Sequence, residues 1–533
     1  MRFFKFNYAV FVIVGVLCLL PLAVVVLGSF KADAELWAHM RTHRLPLMLN
    51  NTLMLGVGVV VFSLLLGASL AWLVSMYEFR GRRVLEWLLV LPLAIPTYVM
   101  AFAQLGVFDY TGPIQSLLRT WSGTDVQRWF ALRSPVGVAW VMSLALYPYV
   151  YLLARVAFRS MGAHALEVGQ SLGYSPAQSF WRVAIPMARP WLAGGAMLAL
   201  MEALADFGAV SILNYDTLTT GVYQAWFALF SLPNALQIAS IALLIVCFLV
   251  SLERYWRGHR AYAQAGALRL VQRKKLHGWK KYGAWLWVAW VLSCALILPL
   301  GKLLVWALPN LDTDLNASFW IYVQGSLSLA AMAAFVVTAV ALLLALARRY
   351  GTAHSFSSIG VSLLTMGYAI PGTVLAVGVF VPVAFLDNWL VRNGWSAGSV
   401  LKGTVWVMLW AYTVRFLAVA FSSVDSALQG VSPQHEYAAR SLGVVGWRLL
   451  AKVYVPMMRP GIWTALLMVF VDVMKEMPIT LMTRPMGWDT LSVRIFALTS
   501  EGLWQEAALP ALSLVLVGMI PVFLLLRDEG EKA

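Results

Sequence analysis

Residues 171–190 read SLGYSPAQSFWRVAIPMARP, and residues 441–460 read SLGVVGWRLLAKVYVPMMRP. Set against each other at an offset of 270 with no gap, they agree at 8 of 20 positions. The agreements are Ser171-Leu172-Gly173 with Ser441-Leu442-Gly443, Val183 with Val453, Pro186-Met187 with Pro456-Met457, and Arg189-Pro190 with Arg459-Pro460. Apolar segments resemble one another by chance, but shared Ser-Leu-Gly and Arg-Pro steps do not come from hydrophobicity. Fainter echoes keep the same order: Ala94-Ile95-Pro96 with Ala369-Ile370-Pro371, Asp216-Thr217-Leu218 with Asp489-Thr490-Leu491, and Phe227-Ala228-Leu229 with Phe496-Ala497-Leu498. The chain is therefore read as one unit written twice.

What that unit is follows from composition. Of 533 residues, 61% are hydrophobic and 12% charged, against about 45–50% and about 25% in soluble domains. This excludes a water-soluble enzyme, a disordered chain and a disulfide scaffold. Twelve apolar segments approach the roughly 20 residues that span a bilayer: 9–28, 52–76, 87–108, 136–158, 191–213, 235–252, 284–308, 322–346, 359–386, 403–424, 461–483 and 507–526. Arg2, Lys5 and Ala32-Asp33-Ala34 imitate the flanks of a signal peptide. The apolar run between them exceeds the 7–15 residues of such a peptide, so it is read as an uncleaved span. The predicted fold class is an all-α membrane protein of about twelve helices in two six-helix repeats. Six is even, so the repeats are parallel. They cover 1–252 and 284–533, joined by a basic linker at 253–283.

The net charge of +15 is no nucleic-acid signal, because the basic residues sit in short loops between spans. With a cytoplasmic N-terminus, 25 Lys/Arg fall on the inner side, 10 on the outer and 4 within spans, which accounts for all 39. That asymmetry places both termini in the cytoplasm. Cys18, Cys247 and Cys294 lie in apolar runs with no CxxC pair and are read as small hydrophobes.

The repeated block falls on the inner side in both halves, at about 160–190 and 430–460. Gly173 and Gly443 suit the left-handed residue that ends a helix. Ser175-Pro176 and Ser432-Pro433 suit the cap and first turn of one. The expected shape is helix, sharp break, helix, outside the bilayer. The block resembles the EAA loop of ABC-importer permeases, in which Glu-Ala-Ala is followed by three residues, Gly, nine residues and a Pro-containing step. The Gly-to-Pro spacing holds in both copies, Gly173 to Pro186 and Gly443 to Pro456. Copy one keeps Glu167 with Val and Gly after it. Copy two keeps Ala438 and Ala439, with Tyr437 at the acidic position and Glu436 one residue earlier.

The resemblance extends over nearly the whole chain to fused permeases of the ferric-iron type. Pro92–Val99, Ala205-Asp206-Phe207-Gly208, Asn214-Tyr215-Asp216-Thr217, Lys475–Leu481 and Arg484-Pro485 carry it. It implies a type I ABC-importer permease fold in the bacterial inner membrane. A periplasmic iron-binding protein would deliver Fe(III), and two copies of a cytoplasmic ATPase would dock on the two loops. The chain has no GxxxxGK[ST] loop, since Gly301-Lys302 is followed by Leu303. ATP-Mg is therefore expected on the partner, with no cofactor and no catalytic residue in this chain. Thiamine or a polyamine is the alternative cargo. A stand-alone secondary transporter is the alternative class.

Charges inside spans cost about 2.5–3.5 kcal/mol each on insertion scales, yet the fifth segment holds Glu202 and Asp206, and the eleventh holds Asp472, Lys475 and Glu476. At offset 270, Glu202 matches Asp472 and Asp206 matches Glu476. Each pair is i,i+4, which predicts one helix face. Two readings stand. Glu202, Asp206, Asp472 and Glu476 form a carboxylate set for a hard cation, or Lys475 pairs with Asp472 and the others bond to neighbouring helices. Arg155 and Arg415, near inner span ends, are expected to snorkel or pair.

Overall fold

The apolar runs fold as helices, because only a helix or a closed barrel satisfies every backbone group within a bilayer. The computed structural model describes residues 2–30, 34–123, 131–161, 169, 171–257, 273–350, 360–361, 363–395, 398 and 400–530. In the first half the main helices are α1 (Arg2–Gly28), α2 (Leu45–Met76), α3 (Thr97–Phe108), α4 (Pro135–Met161), α5 (Ile185–Ala205) and α6 (Leu232–Arg257). In the second they are α7 (Trp279–Leu292, carried on as Leu298–Ala307), α8 (Ala317–Tyr350), α9 (Gly372–Arg392), α10 (Val405–Gln429), α11 (Arg459–Lys475) and α12 (Ala508–Gly530). Strand structure among the described residues is confined to a two-residue parallel bridge, Tyr77-Glu78 with Lys274-Lys275.

Every predicted segment has a helical counterpart. Nine helices among the described residues are long and apolar enough to cross a membrane, or up to eleven if each of two bent pairs is one span. One bend, of 100°, lies between Arg82–Ala94 and Thr97–Ser122. Pro96 explains it: the residue before a proline is pushed from helical to extended backbone, and Ile95 sits at φ −84°, ψ 116°. Ile370, before Pro371, repeats this at φ −85°, ψ 133°.

The chain divides into two compact units that do not follow the sequence halves. One holds Met1–Met40, Gly221–Leu243 and Leu315–Ala497. Its core is α8, α10 and α11 packed on one another, with α1 from the first half lying on α8 and α9. The other holds Arg41–Thr220, Leu244–Asp314 and Leu498–Ala533. Its core is α2, α4 and α5, with the Leu298–Ala307 part of α7 lying on α3 and α12. Each half thus gives its first helix to the unit built mainly from the other. A glycine receives the incoming helix in both: a Cβ on Gly378 of α9 would lie 2.7 Å from the Pro21 carbonyl oxygen of α1, and one on Gly106 of α3 would overlap the Trp306 ring of α7.

Candidate functional site

Two features recur in both units: an acidic break at the end of α5 and α11, and the helix-break-helix block that precedes them.

α5 ends at Ala205, and Asp206 is extended at φ −69°, ψ 136°. α11 ends at Lys475, and Glu476 is extended at φ −71°, ψ 121°. The predicted i,i+4 helix faces therefore do not form, because the second acid of each pair has left the helix. The cause is local. The Asp206 carboxylate accepts N–H bonds from Ala209 (2.8 Å) and Val210 (3.4 Å) at the start of the short Gly208–Ile212 helix. Glu476 accepts from Ile479 (3.1 Å) and Thr480 (3.3 Å) at the start of Pro478–Thr483. A short acidic side chain that caps a new helix competes with continuation of the old one.

The surroundings of the two acids are copies with one exchange. The Asp206 carbonyl accepts Thr219 Oγ1 at 2.6 Å, and the Glu476 carbonyl accepts Ser492 Oγ at 3.0 Å. The Leu218 N–H donates to Thr52 Oγ1 at 3.2 Å, and the Leu491 N–H to Ser326 Oγ at 2.8 Å. The exchange lies after the two matched prolines. Thr97 donates its hydroxyl to Asp206. Its counterpart is Gly372, where a Cβ would lie 2.8 Å from Glu476 Oε1 and 3.0 Å from Arg415 Nη1. Glutamate is one methylene longer than aspartate, and the missing side chain makes room for it and for the guanidinium. Arg415 is buried and donates to the Ile370 carbonyl at 3.2 Å.

Glu202 and Asp472 are half-buried on α5 and α11, and Lys475 is the last helical residue of α11. Among the described residues no group of three or more His, Cys, Asp and Glu is placed to hold a metal ion. The oxygens of Asp206 and Glu476 are engaged with backbone donors instead.

In the block, Gly173 and Gly443 have φ of +74° and +76°. The Tyr174 N–H reaches back to the Gly169 carbonyl (2.8 Å) and the Val444 N–H to the Ala439 carbonyl (2.9 Å). Gly443 N–H also bonds to the Arg440 carbonyl at 3.0 Å, completing a Schellman end. Ser175 and Gln178 cap each other reciprocally: the Gln178 N–H donates to Ser175 Oγ (3.3 Å) and the Ser175 N–H to Gln178 Oε1 (2.9 Å). Ser432 caps Pro433–Ser441 through Gln434 N–H at 3.3 Å. Glu167 lies outside the described residues.

Glu436 is the anchor of the second block. It is buried, and it accepts the Tyr454 hydroxyl at 2.6 Å and pairs with Arg440 and with Arg349 at 3.8 Å. Arg349, at the end of α8, also donates to the Leu428 (2.7 Å) and Val431 (2.9 Å) carbonyls at the end of α10. One carboxylate and one guanidinium so tie the block to two long helices. Ala439 is buried, while Ala438, Gly443 and Pro456 are exposed and Pro186 is half-buried. Leu172 and Leu442, identical in the two copies, stand out to solvent at 58% and 81% exposure.

In sequence Thr97 stands out only within the Pro92–Val99 stretch, and Gly372, Arg349 and Tyr454 have no role of their own. The offset of 275 that pairs Pro96 with Pro371 also pairs Thr97 with Gly372, so that exchange was open to view. Arg155, expected to snorkel or pair, pairs: its Nη1 meets Glu86 Oε1 at 3.0 Å, with both side chains 4% exposed. Arg82 (2.8 Å) and Arg159 share the same carboxylate.

Comparison with known proteins agrees with this duplicated architecture. The family described as "Binding-protein-dependent transport system inner membrane component" matches residues 63–256 and 353–528. A Fe(3+)-transport system permease protein of Haemophilus influenzae is 27% identical over 496 residues, covering 90% of each chain. A putative 2-aminoethylphosphonate transport system permease protein of Salmonella typhimurium is 31% identical over 44% of this chain and 81% of its own. A sulfate transport system permease protein of the same organism is 28% identical over 37% of this chain and 69% of its own. With the family signature present twice, on two copies of one broken-helix architecture, the chain belongs to the inner-membrane components of binding-protein-dependent transport systems.

Proposed function

We propose that this permease imports ferric iron, received from a periplasmic iron-binding protein and driven by two copies of a cytoplasmic ATPase docked on the blocks at Gly173 and Gly443. Coverage carries the iron reading. The Fe(3+) permease aligns with both halves at once, over 90% of this chain, whereas the phosphonate and sulfate permeases align with less than half of it. The excess of Lys/Arg on one set of loops supports cytoplasmic termini and a cytoplasmic position for both blocks.

ATPase closure pushes the exposed side of each block. In the second half, Glu436 and Arg349 pass that push to α8 and α10, and the block continues directly into α11 and its acidic break. Glu202, Asp206, Asp472, Lys475 and Glu476 belong to the cargo pathway in this reading, as charged groups in segments where charge is costly. Alternating access then follows from movement of one bundle against the other.

The test is ATP-dependent Fe(III) uptake by proteoliposomes holding this chain and its ATPase, with the binding protein outside. Excess thiamine, spermidine or 2-aminoethylphosphonate should leave uptake unchanged. Asp206→Asn with Glu476→Gln should reduce it about tenfold or more while assembly persists, as expected for in-span charges that serve transport. Competition by one of the three solutes would reassign the cargo, and full activity of the double variant would make the two acids structural.

A further inference from the structure

The parallel bridge between Tyr77-Glu78 and Lys274-Lys275 joins two strongly basic segments, and backbone hydrogen bonds hold them there. The Leu276 N–H donates to the Glu78 carbonyl at 3.1 Å. The bridge closes one side of a cleft of about 540 Å³ lined by Arg80, Arg82, Arg83, Lys275, His277 and Lys281. Among the lining residues Glu78 is the one carboxylate, and it already pairs with Arg82 at 3.1 Å and lies 3.8 Å from Arg273. Glu86, the next acid, is shared by Arg82, Arg155 and Arg159. Arg273 Nε is buried with no hydrogen-bond partner among the described residues. Burial and the neighbouring Arg82 and Arg83 guanidiniums push the Arg273 pKa below the usual arginine range. The fold therefore concentrates positive charge that its own carboxylates do not balance.

The place of the cleft says what anion balances it. α2 ends at Met76 and α7 begins at Trp279, and these two helices pack together, with Trp287 Nε1 donating to Ser69 Oγ at 3.2 Å. Both belong to segments long and apolar enough to cross a membrane, so the cleft opens where two spans emerge. Phe79 packs edge-on against Trp285, and Val84, Trp279 and Tyr282 beside it are 63%, 90% and 66% exposed. Cationic groups at the head with exposed aromatic and apolar groups alongside fit the two parts of a phospholipid.

We propose that this cleft binds the phosphate headgroup of an anionic lipid, and that the bound lipid pins the linker between the two halves to the first half. Inorganic phosphate shares the headgroup chemistry but would leave the apolar rim uncovered.

The full chain is reconstituted in nanodiscs of phosphatidylcholine with or without phosphatidylglycerol carrying a photoactivatable diazirine, and the labelled peptides are mapped. Label should concentrate about tenfold on peptides holding residues 77–84 and 273–285, as expected for a polybasic site facing anionic lipid. The same diazirine on phosphatidylcholine should not do so. Each of Arg80→Gln, Arg83→Gln and Lys281→Gln should weaken labelling about fivefold. Uniform labelling along the lipid-facing helices, or labelling unchanged by all three substitutions, would overturn the proposal. So would loss of the label to millimolar inorganic phosphate, which would assign the cleft to a free anion.

Discussion

At the scale of single residues, the informative comparison is between two acids that do one job with different lengths. Asp206 has Thr97 as its hydroxyl donor, whereas Glu476 has the space of Gly372 and the company of Arg415. Adding a side chain at 372 forces its Cβ against Glu476 Oε1 and Arg415 Nη1, so Gly372→Thr should destabilise by roughly 1–3 kcal/mol through overpacking. Glu476→Asp should also destabilise, because the shorter acid leaves a gap and strains its reach to Ile479. Combined, the two changes rebuild the Asp-Thr arrangement of the first half. A thermal-denaturation cycle in detergent should show a favourable coupling of about 1 kcal/mol or more. Strictly additive losses would mean that the exchange is accidental.

At the scale of elements, three kinds of local restraint hold the blocks: a left-handed glycine, a serine cap and, in the second copy, the buried Glu436. Removing that carboxylate in Glu436→Ala takes away the acceptor of the Tyr454 hydroxyl and the ion-pair partner of Arg349, which keeps its bonds to the Leu428 and Val431 carbonyls. Breaking a fully buried pair costs about 3–5 kcal/mol; with the Arg440 side chain 49% exposed, a loss of roughly 2 kcal/mol is expected. On the proposed docking of the ATPase at the blocks, the exposed leucines are contact residues. Leu172→Asp with Leu442→Asp should leave the melting temperature unchanged and cut co-purification with the ATPase about tenfold or more, the size of a lost interface anchor. Retained co-purification would move the docking surface elsewhere.

These elements also show what was legible in sequence. The glycine and serine signals act through their own backbone, so the breaks at Gly173 and Gly443 could be read from residue type alone. The ends of α5 and α11 could not: hydropathy continues past Ala205 and Lys475, and the helix stops because an acid finds donors three and four residues ahead. The expected i,i+4 faces failed for the same reason. Helical spacing put four acids on two faces, but two of those acids cap the next helix. Glu436 was visible only as a displaced motif residue, since its value depends on Arg349, 87 positions earlier in the chain.

At the scale of the whole molecule, hydropathy marks a span without naming its neighbour, so the exchange of α1 and α7 between the units was beyond sequence reading. It has a consequence for folding. A fragment of residues 1–262 carries α1 without α8 and α9, and it lacks the α7 that covers α3. Expressed alone it should be degraded, and co-expressed with 263–533 it should be recovered as a stable pair, read by blotting of membranes and co-purification. Stable accumulation of the first fragment alone would contradict the exchanged packing.

Fe(III) accumulation should be measured in proteoliposomes containing this chain and its ATPase, with ATP inside and the iron-loaded binding protein outside. Accumulation that requires ATP, the ATPase and the binding protein together is the predicted result. Iron entry that persists without ATP or the binding protein, or no iron entry while another solute accumulates under the same conditions, would contradict it.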